Sequence, residues 1–279
     1  MSLYRKLFSL GLFCFTLYTS AVMLNGCGST GSKDEKFQVD PALGSAAFVG
    51  SSTCQSCHEK EFDDWKKSDH FLAMQEAHDS TVLGDFNNAT LHADGVINKF
   101  FKRDGKFYIN TQGDDGRYHD YEVLYTFGYF PLQQYLIAFP GGRLQSTRVS
   151  WDSREKKWFH QYSGQQIHYR DWLHWTGNSQ NWNTMCAACH STNLQKKYDH
   201  PTDKYKTTWN EINVACESCH GPAGQHIAFV KTDDHKNGAR INNSGFQYGN
   251  EQISFLQLNT CAPCHARKTD LSKDLIRSE

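Results

Sequence analysis

Cys216-Glu217-Ser218-Cys219-His220-Gly221-Pro222-Ala223-Gly224-Gln225-His226 is the stretch on which the reading of this chain turns. Two cysteines three apart on a helical turn point to one side, and a histidine follows directly. That spacing suits attachment of a porphyrin: each thiol adds to one vinyl group, and the trailing imidazole reaches the iron. The pattern recurs at Cys54-Gln55-Ser56-Cys57-His58, Cys186-Ala187-Ala188-Cys189-His190 and Cys261-Ala262-Pro263-Cys264-His265, which uses eight of the ten cysteines. Four c-type haems are therefore expected. Their thioethers fall on Cys54, Cys57, Cys186, Cys189, Cys216, Cys219, Cys261 and Cys264, with His58, His190, His220 and His265 as proximal iron ligands.

Paired cysteines also build zinc ribbons, but a ribbon has no use for a histidine after every pair. With 14 histidines in 279 residues, four chance placements at those positions come to roughly one in a hundred thousand on composition alone. Thioether attachment also displaces disulfide pairing, because it leaves no free thiols.

The bulk composition fits this reading. The length suggests one or two domains. Lys plus Arg is 29 and Asp plus Glu 30, and no basic stripe suggests nucleic acid. Apolar residues are 38%, low for a domain of this size, while aromatics reach 14%. A core built partly from bulky apolar cofactors, with aromatic side chains against their faces, would reconcile the two.

Upstream, Arg5 and Lys6 precede an apolar run from Leu7 to Leu24 that ends at Leu24-Asn25-Gly26-Cys27. This is the layout of a signal peptide, residues 1–26, of the bacterial lipoprotein type with Cys27 as the lipidated residue. An uncleaved anchor, about 27 Å if helical, and ordinary cleavage are the alternatives. All three put the rest of the chain on the periplasmic side of a bacterial membrane. Cys14, inside the apolar run, has no expected role in the mature protein. Residues 27–47 are rich in small and charged residues and read as a flexible tether.

The remainder divides into a first haem segment (48–80), an antiparallel β region (81–175) and a three-haem segment (176–279). A helix is expected from a cap at Ser51 to Thr53 through Trp65 to Met74, with Met74 on its packing face. Turn signals at Arg103-Asp104-Gly105-Lys106, Gly113-Asp114-Asp115-Gly116 and Pro140-Gly141-Gly142 separate runs of strand formers, so residues 90–163 read as an antiparallel sheet. The expected class is α+β: short helices and loops around four covalent haems, with an inserted antiparallel sheet.

Ten further histidines supply candidates for the opposite face of each iron. Two imidazoles trans on one metal place their Cα atoms roughly 12 Å apart. His70 would stand about 18 Å from His58 on a continuous helix, too far to share its iron, so it is expected to reach another haem. His226, a short loop beyond His220, is likewise better placed for a neighbour. His174 and His160 complete the distal candidates. Met74 and Met185 are weaker alternatives, and His78, His92, His119, His168, His200 and His235 read as solvated.

With these residues quoted, the chain resembles the cytochrome c-554 group of multihaem c-type cytochromes. The likeness runs from Phe48-Val49-Gly50-Ser51 and the first motif through Trp65 and Ser68-Asp69-His70, and resumes over Cys216 to His226. In that group the histidine after the Cys-His-Gly-Pro segment commonly ligates an adjacent haem, which implies the same for His226. A subgroup often fused to tetratricopeptide repeats is similar over residues 48–268, sharing Thr126-Phe127-Gly128, Pro131-Leu132-Gln133-Gln134-Tyr135, Phe139-Pro140-Gly141-Gly142-Arg143 and His174-Trp175-Thr176-Gly177. Its members often continue into further haem motifs and helical repeats. This chain shows no such repeats and reads as a short form or a truncated frame.

Two functions follow from this reading. The first is an electron carrier between membrane-linked donors and periplasmic or extracellular acceptors, with redox proteins as partners and the membrane as its anchor. The alternative is a redox enzyme with one five-coordinate haem open to a small nitrogen compound. Arg143, Arg148 and Lys99 are available as donors for such a substrate, but no spacing focuses them on an iron.

Overall fold

A computed structural model describes residues 47–232 and 260–266. Cys27, the apolar run, the tether and His235 lie outside the described residues. Among the described residues no helix is long and apolar enough to cross a membrane.

The class is α+β. Nine strands form one antiparallel sheet: β1 (Met74–Glu76), β2 (Asn87–Ala93), β3 (Val96–Arg103), β4 (Lys106–Gln112), β5 (Tyr118–Phe127), β6 (Leu132–Phe139), β7 (Arg143–Ser146), β8 (Val149–Asp152) and β9 (Lys157–His160). The main path runs β2-β3-β4-β5-β6-β8-β9, with β1 added to β5 and β7 to β6. The β3–β4 turn carries Asp104 and Gly105 at φ 53° and 74°, the two left-handed positions of a tight hairpin whose twist matches its strands. Alternation then sets the buried face: Asn98 and Phe100 on β3 and Phe107, Ile109 and Thr111 on β4 point inward. Phe100 stacks on Trp158 of β9 with ring centroids 3.5 Å apart, so the sheet curls until its far strands meet. The enclosed core gathers Phe86, Ile109, Val123, Tyr135, Ile137 and Trp151.

The sheet begins earlier than the expected residue 90, because Met74–Glu76 pairs with Tyr125–Phe127. This corrects the expected helix through Met74. A 3-10 turn (Ser51–Thr53), α1 (Glu59–Lys66) and α2 (Asp69–Leu72) replace it. The break has a local cause. Ser68 is extended (φ −81°, ψ 157°), and its hydroxyl accepts from the Phe71 N–H, so it caps a new helix. Met74, fully buried, packs in a second apolar cluster with Leu136, Leu144, Trp182, Ala187 and Leu194. That cluster ties the outer face of the sheet to α3 (Trp182–Met185) and α4 (Ala187–His190). The short hairpin β10 (Tyr198–Asp199) and β11 (Lys204–Tyr205) follows, then α5 (Cys216–His220) and α6 (Gly224–Val230). Residues 260–265 are also helical.

Candidate functional site

Each Cys-x-x-Cys-His segment sits on one turn of helix or its equivalent. In the first, the Cys57 N–H donates to the Cys54 carbonyl at 3.2 Å and the His58 N–H donates to the same carbonyl at 2.9 Å. The second spans the N-cap of α4, the third is α5, and the fourth lies on the turn at 260–265. Among the described residues, none of these eight cysteines is in a disulfide. Burial, followed by the nearby Cys216 sulfur, pushes the Cys54 thiol up to about 11. Burial pushes Cys186 up to about 12.

The segments associate in pairs. The first and third face a common cavity of about 190 Å³ lined by Cys54, His58, Cys216, Cys219 and His220, with Trp65, Phe62 and His70 on its wall. The second and fourth meet where Cys189 Sγ lies 3.8 Å from the Pro263 carbonyl oxygen. Burial, then the His265 imidazole, lowers the basicity of His190. Phe127 of β5 meets the His190 ring edge-on at 4.8 Å between centroids.

Two imidazole pairs stand out. His58 and His226 hold their ring centroids 6.3 Å apart. His70 and His265 hold theirs 6.1 Å apart. Two metal–nitrogen bonds of about 2.0–2.1 Å, with the ring radius of about 1.1 Å added on each side, separate trans imidazole centroids by about 6.3 Å. The spacing fits an iron between each pair, and in both cases the second histidine, His226 or His70, follows a different Cys-x-x-Cys-His motif in the chain from the one it faces. Among the described residues, no three His, Cys, Asp or Glu side chains converge as they would on a zinc ion. Axial ligation asks for only two.

His160 and His174 lie elsewhere. Both line a cavity between the curled sheet and the chain that follows it, whose walls contain no cysteine and no Cys-x-x-Cys-His histidine. His78, His92, His119, His168 and His200 are exposed, as expected. Met185 is exposed as well.

Several residues that fix the site carry no sequence signal. The Glu217 carboxylate, 1% exposed, accepts from the backbone N–H groups of Val49 at 3.0 Å, Gly50 at 2.8 Å and Ala223 at 2.8 Å. It thus binds the irregular segment before the first motif and the loop that leads to His226. Glu211 accepts from both the N–H and hydroxyl of Ser51 at 3.0 Å. Trp65 donates its indole N–H to the Val214 carbonyl at 2.9 Å. The x positions of Cys-x-x-Cys-His take part in no haem chemistry, so nothing in the motif distinguishes Glu217 from any solvated acid.

Residues 53–94 and 146–221 match the family described as cytochrome c554 and c-prime. The unmatched interval between them carries β3 to β6 and most of β7. Two solved structures are similar. The outer cell wall cytochrome OcwA shares 17% identity at TM-score 0.47, over 79% of this chain and 37% of that one. The undecahaem S-layer cytochrome of Carboxydothermus ferrireducens shares 20% identity at TM-score 0.46, over 80% of this chain and 26% of that one. The chain thus spans well under half the length of either relative. Among curated proteins, none matches it.

Proposed function

We propose that this multihaem c-type cytochrome is a tetrahaem electron carrier that works between membrane-linked donors and periplasmic or extracellular acceptors. The observation that carries the reading is the spacing of the two imidazole pairs, 6.3 Å for His58 with His226 and 6.1 Å for His70 with His265. Bound haem supplies one-electron chemistry at low potential when both axial ligands are histidine. The chain's own part is to close the iron. Where two imidazoles would hold one iron, as the His58–His226 and His70–His265 pairs would, no position would be left for a substrate, which favours carriage over catalysis at those two sites.

The thioether cysteines at 54 and 57, 186 and 189, 216 and 219, and 261 and 264 would hold the four porphyrins. His58, His190, His220 and His265 would take the proximal side, with His226 opposite His58 and His70 opposite His265. Because each distal imidazole comes from outside the motif it faces, loading one site orders the chain around another. The aromatic wall of Phe62, Trp65 and Phe71, whose rings pack at 5.4 and 4.9 Å, supplies apolar contact where the first and third segments meet.

The export-type N-terminus supports an extracytoplasmic location, since haem attachment of this type takes place outside the cytoplasm. Cys27 is the proposed lipid attachment point, and redox proteins are the proposed partners.

The test is spectroscopic. The purified holoprotein should contain four covalent haems per polypeptide, all low-spin when oxidised, and carbon monoxide should leave the reduced spectrum unchanged. A high-spin ferric signal together with a carbon monoxide shift would overturn the carrier reading in favour of an open haem that reacts with a small substrate.

A further inference from the structure

Away from the haem segments, a partly open cavity of about 50 Å³ lies between the curled sheet and the chain that follows it. Asn98, Thr111, Arg148 and His160 wall it from the strands and their connections, and His174 and Trp175 line it from the chain beyond. At about 30 Å³ per liquid water, the space suits one or two waters or a small polyatomic ion.

Arg148 gives the cavity its character. It is 4% exposed. Its guanidinium lies over the Tyr162 ring, with Cζ 4.4 Å from the centroid. Among the described residues, none offers Nε, Nη1 or Nη2 a hydrogen-bond partner. A guanidinium does not give up its proton in a protein, and a buried charge without a partner is costly. Of the nearby carboxylates, Asp94 also lines the cavity, and its Oδ2 is buried with no hydrogen-bond partner among the described residues. Asp94 Oδ1 accepts from the Gly164 N–H at 2.8 Å, and its Oδ2 lies 3.3 Å from His160 Nδ1. Asp171 Oδ1 accepts from the Leu173 N–H at 2.8 Å. The aromatic ring thus takes the face of the guanidinium, while its edge, a planar fork of donors, is unused beside the cavity.

We propose that this cavity is a binding site for one small planar oxyanion of the carboxylate or nitrate type, gripped at two oxygens by Arg148. The fork geometry matches two coplanar oxygens. Asp94 in the wall already supplies one negative charge, which favours a monovalent ligand over sulfate or phosphate. With no cysteine or Cys-x-x-Cys-His histidine in the lining, the ion binds apart from the irons and is not turned over there. This site stands independently of the electron-carrier reading.

Calorimetric titration of the full-length holoprotein with sodium formate and, separately, sodium nitrate tests it. Saturable uptake of either anion at one equivalent is expected, with the haem absorption bands unmoved. Arg148→Met should abolish that uptake. Arg148→Lys, which keeps the charge but loses the fork, should weaken it at least tenfold. Should Arg148→Met fail to accumulate, the lysine variant decides. The proposal is overturned if the wild-type protein takes up neither anion saturably, if binding survives unchanged in the substituted proteins, or if either anion shifts the haem bands.

Discussion

Glu217 and Gly50 are joined by a 2.8 Å hydrogen bond between a carboxylate in the third haem segment and a backbone N–H just ahead of the first. The same carboxylate takes the N–H groups of Val49 and Ala223. One buried acid therefore sets the separation of two haem segments and the start of α6, which carries His226.

Glu217→Ala should consequently do two things. It orphans three backbone donors that ended on a charged acceptor, a loss of about 3 kcal/mol. It also frees the Ala223 end of the loop to His226. Thermal unfolding should show the first effect, and a partial high-spin signal the second. Glu217→Gln keeps one acceptor oxygen and should cost about half as much. A wild-type melting point in Glu217→Ala would show that the carboxylate does not hold these segments together.

The two distal assignments make a counting prediction. His226→Ala should convert one haem from low-spin to high-spin, and so should His70→Ala. Because the partners are His58 and His265 on separate segments, the double variant should show two high-spin haems. One high-spin haem in the double variant would mean that both histidines serve the same iron. His70→Met should instead keep its haem low-spin and raise that haem's midpoint potential, since Met/His ligation favours the reduced iron. Electron paramagnetic resonance with a redox titration measures both outcomes.

The sheet was readable in the sequence because strand alternation and turn chemistry are local. Asp104-Gly105 demands left-handed backbone, and Phe107, Ile109 and Thr111 alternate with exposed neighbours. The start of the sheet was not readable. Met74–Glu76 reads as the tail of a helix until Ser68 caps a new one and β5 offers an edge, and only the three-dimensional fold shows that edge. The Cys-x-x-Cys-His segments were plain, because thioether attachment fixes the spacing. The pairing of His226 with His58 and of His70 with His265 depends on distances between remote segments. Sequence separation could say only that each histidine was poorly placed for its own motif. Glu217 gave no signal, and Arg148 was legible only as one of three available cations, because their roles rest on burial among backbone donors in one case and on the lack of an acceptor among the described residues in the other.

Acid should loosen the sheet through His174. Burial, with the Arg148 charge second, lowers its folded value to about 4. In the unfolded chain it titrates near 6.5. Between those limits the unfolded state binds the additional proton, so stability rises with pH. The contribution is complete above about pH 6.5 and is lost as pH falls toward 4, a total of about 3 kcal/mol. Denaturant unfolding between pH 4 and 7 should show that slope, and His174→Gln, which cannot charge, should flatten it. An equal slope in the variant would assign the acid sensitivity to other groups.

The two apolar clusters predict different failures for two buried tryptophans. Trp158 belongs to the core enclosed by the sheet, stacked on Phe100 and in contact with Phe86, Tyr135 and Trp151. Trp182 is fully buried in the other cluster, edge-on to Trp209 and packed with Met74 and Ala187, one residue from Cys186. Replacing either with alanine removes a large buried aromatic and should cost about 3–5 kcal/mol. The cavities open in different places, however. Around Trp158 the neighbours are strands, so Trp158→Ala should lower the melting point while four low-spin haems remain. Around Trp182 the neighbours include α4, whose placement sets the His190 imidazole against Phe127. Trp182→Ala should therefore lower the melting point and also perturb the second haem, as an altered spin state or incomplete attachment at Cys186 and Cys189. Mass spectrometry of the intact chain counts the haems, and the ferric spectrum reports the spin state. If Trp158→Ala loses haem as readily as Trp182→Ala, the sheet core and the haem scaffold form one cooperative unit rather than two.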